Sequence, residues 1–207
     1  SFCPADKDIL KILMGIRNEL QAKLYALRDE SYKDWNAGLI PNISPDKMMG
    51  VRMPQLRKLA KAVSLSDLSP LPHDYFEEDC LHGILISGMK DPVQTLNALD
   101  EFLPYVNNWA VCDLLSPKVL ITVPEKFYDT IKKWIQSDHP YTVRFAIGML
   151  MKYFLDDRFS ESHFQLVASV SSNNYYVKMM IAWYFATALA KQPDVATAFL
   201  ETKTLDP

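Results

Sequence analysis

The clearest pattern in the chain is an apolar helical segment that recurs three times. Residues 105–115 read YVNNWAVCDLL, residues 141–151 read YTVRFAIGMLM and residues 175–185 read YYVKMMIAWYF. The first residues of these copies are 36 and then 34 positions apart, being 141 − 105 and 175 − 141. A spacing of this size without strand alternation is typical of stacked helical pairs, in which each pair buries its apolar face against its neighbours.

Apolar residues at helical spacing also fill the chain between these copies. Proline and aspartate mark short turns between the segments, and no hairpin signal for strands appears. The pattern therefore predicts an all-α fold, a curved α-solenoid of antiparallel helix pairs that forms a single domain over residues 1–207. The further predicted helices cover residues 6–36 with a break near Gly15, 55–63, 75–89, 91–103, 125–136, 160–170 and 193–201.

Composition removes several classes of protein. The formal net charge of −3 argues against a strongly basic nucleic-acid coat, although local patches can still bind phosphate. Three cysteines without a C-x-x-C pair and four histidines without close spacing predict no metal site, and we expect no cofactor. Free cysteines favour a reducing cytoplasm. No apolar run is long enough to predict a membrane span.

Aligning the three copies column by column brings candidate chemistry to one helix face. The fifth and ninth columns are four residues apart, so they lie on the same face of a helix. The fourth, fifth and ninth columns hold Asn108, Arg144 and Lys178, then Trp109, Phe145 and Met179, then Asp113, Met149 and Trp183. A stack of parallel helices would present four of these residues along one ridge: Trp109, Asp113, Arg144 and Trp183.

Asp113 is the most informative residue of this ridge because its neighbours in WAVCDLL are apolar. A carboxylate in such a place must be paired, hydrogen-bonded or functional, since burying it alone costs several kcal/mol. A structural ion pair with Arg144 is the commoner explanation, and a catalytic group is the alternative. Trp109 and Trp183 could be core residues, but two aromatic faces beside an anion also suit a cation.

A second cluster of charge lies in the predicted helix of residues 55–63 and just before it. Such a cluster is most often a solvated helix face, and its alternative role is to contact phosphates as one wall of a concave groove. Its members are Arg52, Arg57, Lys58 and Lys61.

Four segments together carry a resemblance to a known family: GVRMPQLRKLAK at 50–61, NWAVCDLLSPK at 108–118, YTVRFAIGMLM at 141–151 and YVKMMIAWYF at 176–185. They resemble the bacterial DNA alkylation repair family of alkylpurine DNA glycosylases, which are built from HEAT-like repeats. The resemblance implies excision of cationic N3- and N7-alkylated purines from duplex DNA, without a metal and without drawing the lesion into a deep pocket. The family's active site holds a Trp, an Asp four residues on, an Arg and a second Trp, which match Trp109, Asp113, Arg144 and Trp183.

The resemblance also implies roles for these residues. Asp113 would stabilise an oxocarbenium-like sugar and position water, as a carboxylate does in glycoside hydrolysis. Trp109 and Trp183 would pack against the sugar and backbone, and Arg144 would fix a phosphate. Further DNA contacts are expected from Arg52, Arg57, Lys58, Lys61, Asn108 and Lys178.

This chain departs from the family where a basic residue might follow the last Trp, because it has Ala186 and Thr187 there. We expect a cytoplasmic monomer whose partner is duplex DNA carrying alkylated purines, with no membrane association. The alternative is a non-catalytic HEAT-like module that binds DNA or a protein on its concave face. Asp113 separates these readings, since a scaffold needs no carboxylate at that position.

Overall fold

The structure is a computed structural model that describes residues 17–202. Within that range every regular element is a helix and no strand occurs, which confirms the all-α prediction. The predicted break near Gly15, with the apolar positions before it, lies outside the described residues. No helix within 17–202 has the length and apolar character needed to cross a membrane.

The α-helices are numbered here in chain order. Between them, in the part of the chain that the structure describes, lie four short 3-10 helices, at Pro45–Lys47, Leu65–Asp67, Leu103–Tyr105 and Lys118–Thr122. The α-helices are α1 Glu19–Ala26, α2 Glu30–Leu39, α3 Met53–Leu59, α4 Phe76–Gly88, α5 Pro92–Phe102, α6 Trp109–Leu114, α7 Pro124–Trp134, α8 Pro140–Tyr153, α9 Glu161–Ala168, α10 Tyr175–Lys191 and α11 Pro193–Glu201.

The chain divides into two compact units, and the boundary falls between Leu85 and Ile86 within α4. The first unit is organised around a buried carboxylate. Glu77 accepts hydrogen bonds from the backbone N–H groups of Met49, Gly50 and Val51, at 3.0, 2.7 and 3.2 Å. These bonds hold the loop that precedes α3.

Gly50 is required in this loop for two reasons. Its φ of +83° lies in the left-handed region that side chains disfavour. A Cβ at this position would also come within 2.4 Å of the backbone oxygen of Asp29. Only glycine therefore lets the loop approach α2 closely enough for Glu77 to reach it.

The second unit is built around α8. All ten residues from 141 to 150 are buried, and α8 packs against α6, α7 and α10. α8 and α10 meet near Gly148, where a Cβ would lie at an ordinary van der Waals distance, 3.7 Å, from the Cε of Met180. The second repeat copy thus contacts both of the others, as the sequence predicted for neighbouring helices.

The first copy begins later than predicted. A 3-10 helix ends at Tyr105, and the α-helix starts only at Trp109. The reason is that Asn108 is extended, with φ −148° and ψ 156°, and its side chain caps the helix by accepting from the N–H of Val111. The basic helix α3 also differs, since it covers Met53–Leu59 rather than residues 55–63, with Pro54 in its first turn as expected.

Candidate functional site

The centre of the candidate site is a bidentate ion pair between Arg144 on α8 and Asp113 on α6. The Nε of Arg144 donates to Oδ1 of Asp113 at 2.9 Å, and Nη2 donates to Oδ2 at 2.7 Å. The remaining Nη1 donates to the backbone oxygen of Tyr176 at 2.7 Å. This geometry fixes the carboxylate plane, because the planar guanidinium matches a carboxylate through two parallel hydrogen bonds.

The two partners differ in exposure. The side chain of Arg144 is 1% exposed, whereas that of Asp113 is 28% exposed. Burial acts to lower the pKa of Arg144, but the hydrogen bonds and charge of Asp113 outweigh it and raise the pKa. A permanently charged guanidinium therefore holds the carboxylate from the protein side, and part of that carboxylate stays accessible.

The side chain of Trp183 lies beside this ion pair. The guanidinium carbon of Arg144 lies 5.3 Å from the centre of the Trp183 ring, within the range of a cation–π contact. Trp183 is 47% exposed, which is unusual for a residue with so large an apolar side chain. An exposed tryptophan held beside a fixed carboxylate is a suitable surface for a ligand.

These three residues line one small cavity of about 160 Å³. Its apolar wall comes from Phe145, Met149 and Met180, so the carboxylate faces a partly apolar space. The structure thus brings Asp113, Arg144 and Trp183 together as the repeat alignment predicted.

The remaining residues of the predicted ridge are placed differently. Trp109 lies one turn before Asp113 on α6 and is half-buried, but it does not line the cavity. Asn108 is buried, with its side-chain oxygen bound to the N–H of Val111 and its side-chain nitrogen donating to Asn107. Its observed role is to cap α6, and a contact with DNA stays a prediction. Lys178 is exposed on α10.

The basic cluster lies in the first unit. Arg57, Lys58 and Lys61 are exposed there. Arg52 is engaged within the protein, because its Nη2 lies 2.8 Å from Oδ2 of Asp29 and its guanidinium stacks 4.7 Å from the ring of Tyr32. Through these contacts the Arg52 side chain connects the start of α3 to α2.

One residue of the site, Lys152, does not stand out in the sequence. Lys152 lines the same cavity, and its Nζ donates to the backbone oxygens of Asp113 and Leu115 at 3.3 Å each. The signal was present, since Arg144, Gly148 and Lys152 are spaced by four on one face of α8. The compared copies, however, ended at residue 151.

Metal-ligating side chains do not cluster at this site. Among residues 17–202, no group of three or more His, Cys, Asp and Glu side chains is arranged to hold a metal ion. Cys112 lines the cavity but is fully enclosed, and burial raises the pKa of its thiol well above the ordinary range.

Comparison with known families decides the relationship. The profile of the family described as DNA alkylation repair enzyme matches residues 20–206. The chain belongs to the DNA alkylation repair enzyme family. Among curated proteins no match was found.

Membership of the DNA alkylation repair enzyme family supports a role in DNA repair and indicates an enzyme with DNA as its substrate. The matched region contains the whole ion pair and the exposed tryptophan.

Proposed function

We propose that this protein is a monofunctional DNA glycosylase that excises cationic N3- and N7-alkylated purines from duplex DNA. The observation that carries the proposal is the Asp113 carboxylate, fixed by Arg144 yet 28% exposed beside the open ring of Trp183. A purely structural ion pair needs no accessible oxygen and no exposed aromatic partner. Both features suit a group that meets a positively charged reaction centre.

The proposed chemistry is hydrolysis of the N-glycosidic bond. Alkylation at N3 or N7 makes the base a cationic leaving group, so departure leaves its electron pair with the neutral base and a positive charge on the sugar. Asp113 stabilises that charge and orients a water molecule, whose oxygen bonds to the anomeric carbon and whose proton is released. The face of Trp183 adds cation–π attraction for the same charge.

Arg144 receives a different role from the one expected from the sequence. Its side chain is 1% exposed and three of its nitrogens already donate within the protein, which leaves little surface for a phosphate. We assign Arg144 the task of orienting the Asp113 carboxylate.

The cavity size supports a mechanism without full enclosure of the lesion. At about 160 Å³ it lies below the roughly 300–1,000 Å³ of pockets that enclose small-molecule ligands. We propose that the enzyme acts on the sugar and backbone presented at its surface, in contrast to enzymes that extrude a base into a pocket.

Three architectural and cellular features complete the proposal. The helices form a HEAT-like solenoid as a single domain, the protein acts as a monomer, and it works in the cytoplasm. The supporting observation for the solenoid is that the middle repeat helix packs against the other two.

DNA binding is the first experimental target. Arg57, Lys58 and Lys61 are the cluster members best suited to a phosphate-contacting wall, because they are exposed whereas Arg52 is tied to Asp29. Reversing two of these charges, as Arg57→Glu with Lys61→Glu, should weaken binding to any duplex and reduce the salt dependence of the affinity. A matched control reverses Lys126 and Lys133, which are exposed on α7. Equal effects of the two pairs would leave the cluster as a solvated face.

Release of 7-methylguanine from alkylated duplex DNA tests the activity itself. Purified wild-type protein should release the free base and leave an abasic site without cutting the strand. The non-catalytic alternative predicts duplex or protein binding with no base release. A wild type that binds DNA but never releases base ends the glycosylase proposal.

A further inference from the structure

The helix that carries Asp113 is unusually dependent on its ends. α6 has only six residues, Trp109–Leu114, and a helix this short gains little from its own hydrogen-bond ladder. The last four carbonyl groups of any helix lack partners within the helix. Leu115 is already extended, with φ −62° and ψ 121°, and Pro117 follows. The direction of the Asp113 side chain therefore depends on what fixes these two ends.

The start of α6 is held by a residue next to it in the chain, and its end is held by a residue of another helix. At the start, Asn108 caps the helix from within the same segment. At the end, the Lys152 ammonium donates to the backbone oxygens of Asp113 and Leu115, at 3.3 Å each. A cation is the favoured partner there, because the carbonyl ends of a helix carry partial negative charge.

Lys152 reaches this position from the helix that also carries Arg144. The two residues are eight apart on α8, so they lie on one face with Gly148 between them. α8 thus holds Asp113 twice, by its carboxylate through Arg144 and by its backbone through Lys152. The charged and titratable groups that act on Lys152 are Asp113 and Cys112. Burial lowers the pKa of the Lys152 ammonium, and both groups oppose that shift.

We propose that Lys152 is a positioning residue for Asp113, which acts by capping the carbonyl end of α6. This inference rests on the proposed glycosylase function for its consequence. Without the cap, the backbone at Asp113 and Leu115 is free to fray, and the carboxylate loses its fixed direction toward the cavity. The expected consequence is a slower chemical step with unchanged affinity for DNA, since Lys152 is assigned to the protein backbone and not to a phosphate.

The kinetic test compares Lys152→Met with Lys152→Arg. Excision of 7-methylguanine is measured in single turnover with enzyme in excess, and the Kd for the same duplex is measured separately. Lys152→Met should lower the saturated excision rate at least tenfold with Kd changed less than twofold. Lys152→Arg should recover most of the rate, since it restores a cation. Lys126→Met, an exposed lysine of α7, is the matched control and should leave both values unchanged.

Two kinetic outcomes overturn the inference. A raised Kd with an unchanged saturated rate makes Lys152 a contact to the DNA instead of a positioning residue. If a folded Lys152→Met protein has an unchanged saturated excision rate and an unchanged Kd, the contact from Lys152 to α6 does not position Asp113 for catalysis. If Lys152→Met fails to fold, Lys152→Leu replaces it, because leucine also removes both the donor and the charge.

Hydrogen exchange separates this inference from the proposed function. The backbone amides of residues 113–115 should exchange faster in Lys152→Met than in wild type or in Lys126→Met. This readout needs no substrate, so it remains valid even if the wild type releases no base. Faster exchange supports the cap whatever the enzyme's activity, and unchanged exchange overturns it.

Discussion

Glu77 in the first unit and Asp113 in the second are both carboxylates held by nitrogen donors, yet their surroundings are opposite. Glu77 is 1% exposed and accepts three backbone N–H bonds from residues 49–51. Asp113 is 28% exposed, and its partner is a guanidinium. Every side of Glu77 faces its own chain, so its hydrogen bonds organise a loop. Asp113 keeps a side that faces a cavity, so a held carboxylate there can still meet a substrate.

The two carboxylates therefore serve different purposes, one structural and the other, as we propose, catalytic. A buried carboxylate without partners is strongly destabilising, so both residues need their donors. Burial raises the pKa of Glu77, while the N–H bonds from Met49, Gly50 and Val51 act against that shift. At Asp113 the compensation comes from the full positive charge of Arg144, which donates two hydrogen bonds to the carboxylate. Removing each group should therefore affect different properties.

Asp113→Asn should give the largest effect, and that effect should fall on catalysis. Asparagine keeps the shape but removes the anion beside a developing cation. Loss of one preorganised electrostatic group costs about 2.7–4 kcal/mol of transition-state stabilisation, or roughly 10²–10³ in rate. We expect the excision rate to fall by that factor. The measurement is single-turnover release of 7-methylguanine, with the melting temperature determined on the same preparation.

The control for this substitution is Asp156→Asn, which removes an exposed ion pair with Lys191 in the same unit. It should change neither rate nor stability appreciably, since exposed pairs contribute about 0–1 kcal/mol. The opposite pattern contradicts the proposed mechanism. If Asp113→Asn melts much earlier yet excises normally per folded molecule, the Asp113–Arg144 pair is a structural ion pair only.

Glu77→Gln should have the opposite effect, lowering stability and leaving catalysis unchanged. An amide presents one acceptor and one donor group to three N–H donors, so at least one buried N–H loses its partner. An unsatisfied buried group costs about 1–3 kcal/mol, and we expect a loss of about 2 kcal/mol in the free energy of unfolding. Excision per folded molecule should stay unchanged. Chemical denaturation measures the first quantity, and single-turnover kinetics measures the second.

Glu101→Gln, an exposed glutamate at the end of α5, is the matched control for the loss of one negative charge. A Glu77→Gln protein of normal stability would mean that the loop at Gly50 is held by other contacts. A stable protein with slowed excision would remove the distinction between the two carboxylates.

The same contrast explains what sequence could predict. Asp113 was identifiable because its apolar neighbours make a carboxylate conspicuous, and the spacing between the copies placed Arg144 and Trp183 near it. Glu77 could not be recognised in this way, since its donors lie 26 to 28 residues earlier in the chain and are backbone groups. No side-chain pattern records such a contact.

Local structure at the site was harder to predict than the helical pattern. The repeat predicted a helix at each copy, but the apolar periodicity could not show that Asn108 would act as a cap and delay the first helix to Trp109. The repeat also could not show that Arg144 is too deeply buried to hold a phosphate, because burial depends on the packing of α8 against α6 and α10. Arrangement between helices is decided by three-dimensional packing, which a one-dimensional pattern does not contain.

The smallest predicted effect is a loss of stability at acidic pH, caused by the His73–His82 pair in the first unit. Nε2 of His73 lies 2.8 Å from Nδ1 of His82, a hydrogen bond that two charged imidazoles cannot form. Burial, and then the charge of His73, lowers the pKa of His82 from an ordinary value of 6.5 to about 3. Between these values the unfolded chain binds the proton more readily, so stability is fully present above pH 6.5 and is lost as the pH falls.

For His82 alone, we expect a loss of about 1.4 kcal/mol at one pH unit below 6.5. The measurement is the free energy of unfolding at pH 7.5 and at pH 5.5. Burial also lowers the pKa of His73, His139 and His163, and it raises the pKa of Asp79 to about 8. The wild-type slope therefore contains all four histidines and, with the opposite sign, Asp79. His82→Gln isolates one of them and should flatten the dependence on pH, whatever its effect on stability at neutral pH. An unchanged slope in that variant would show that His82 accepts a proton in the folded protein, and the neutral histidine pair would then be wrong.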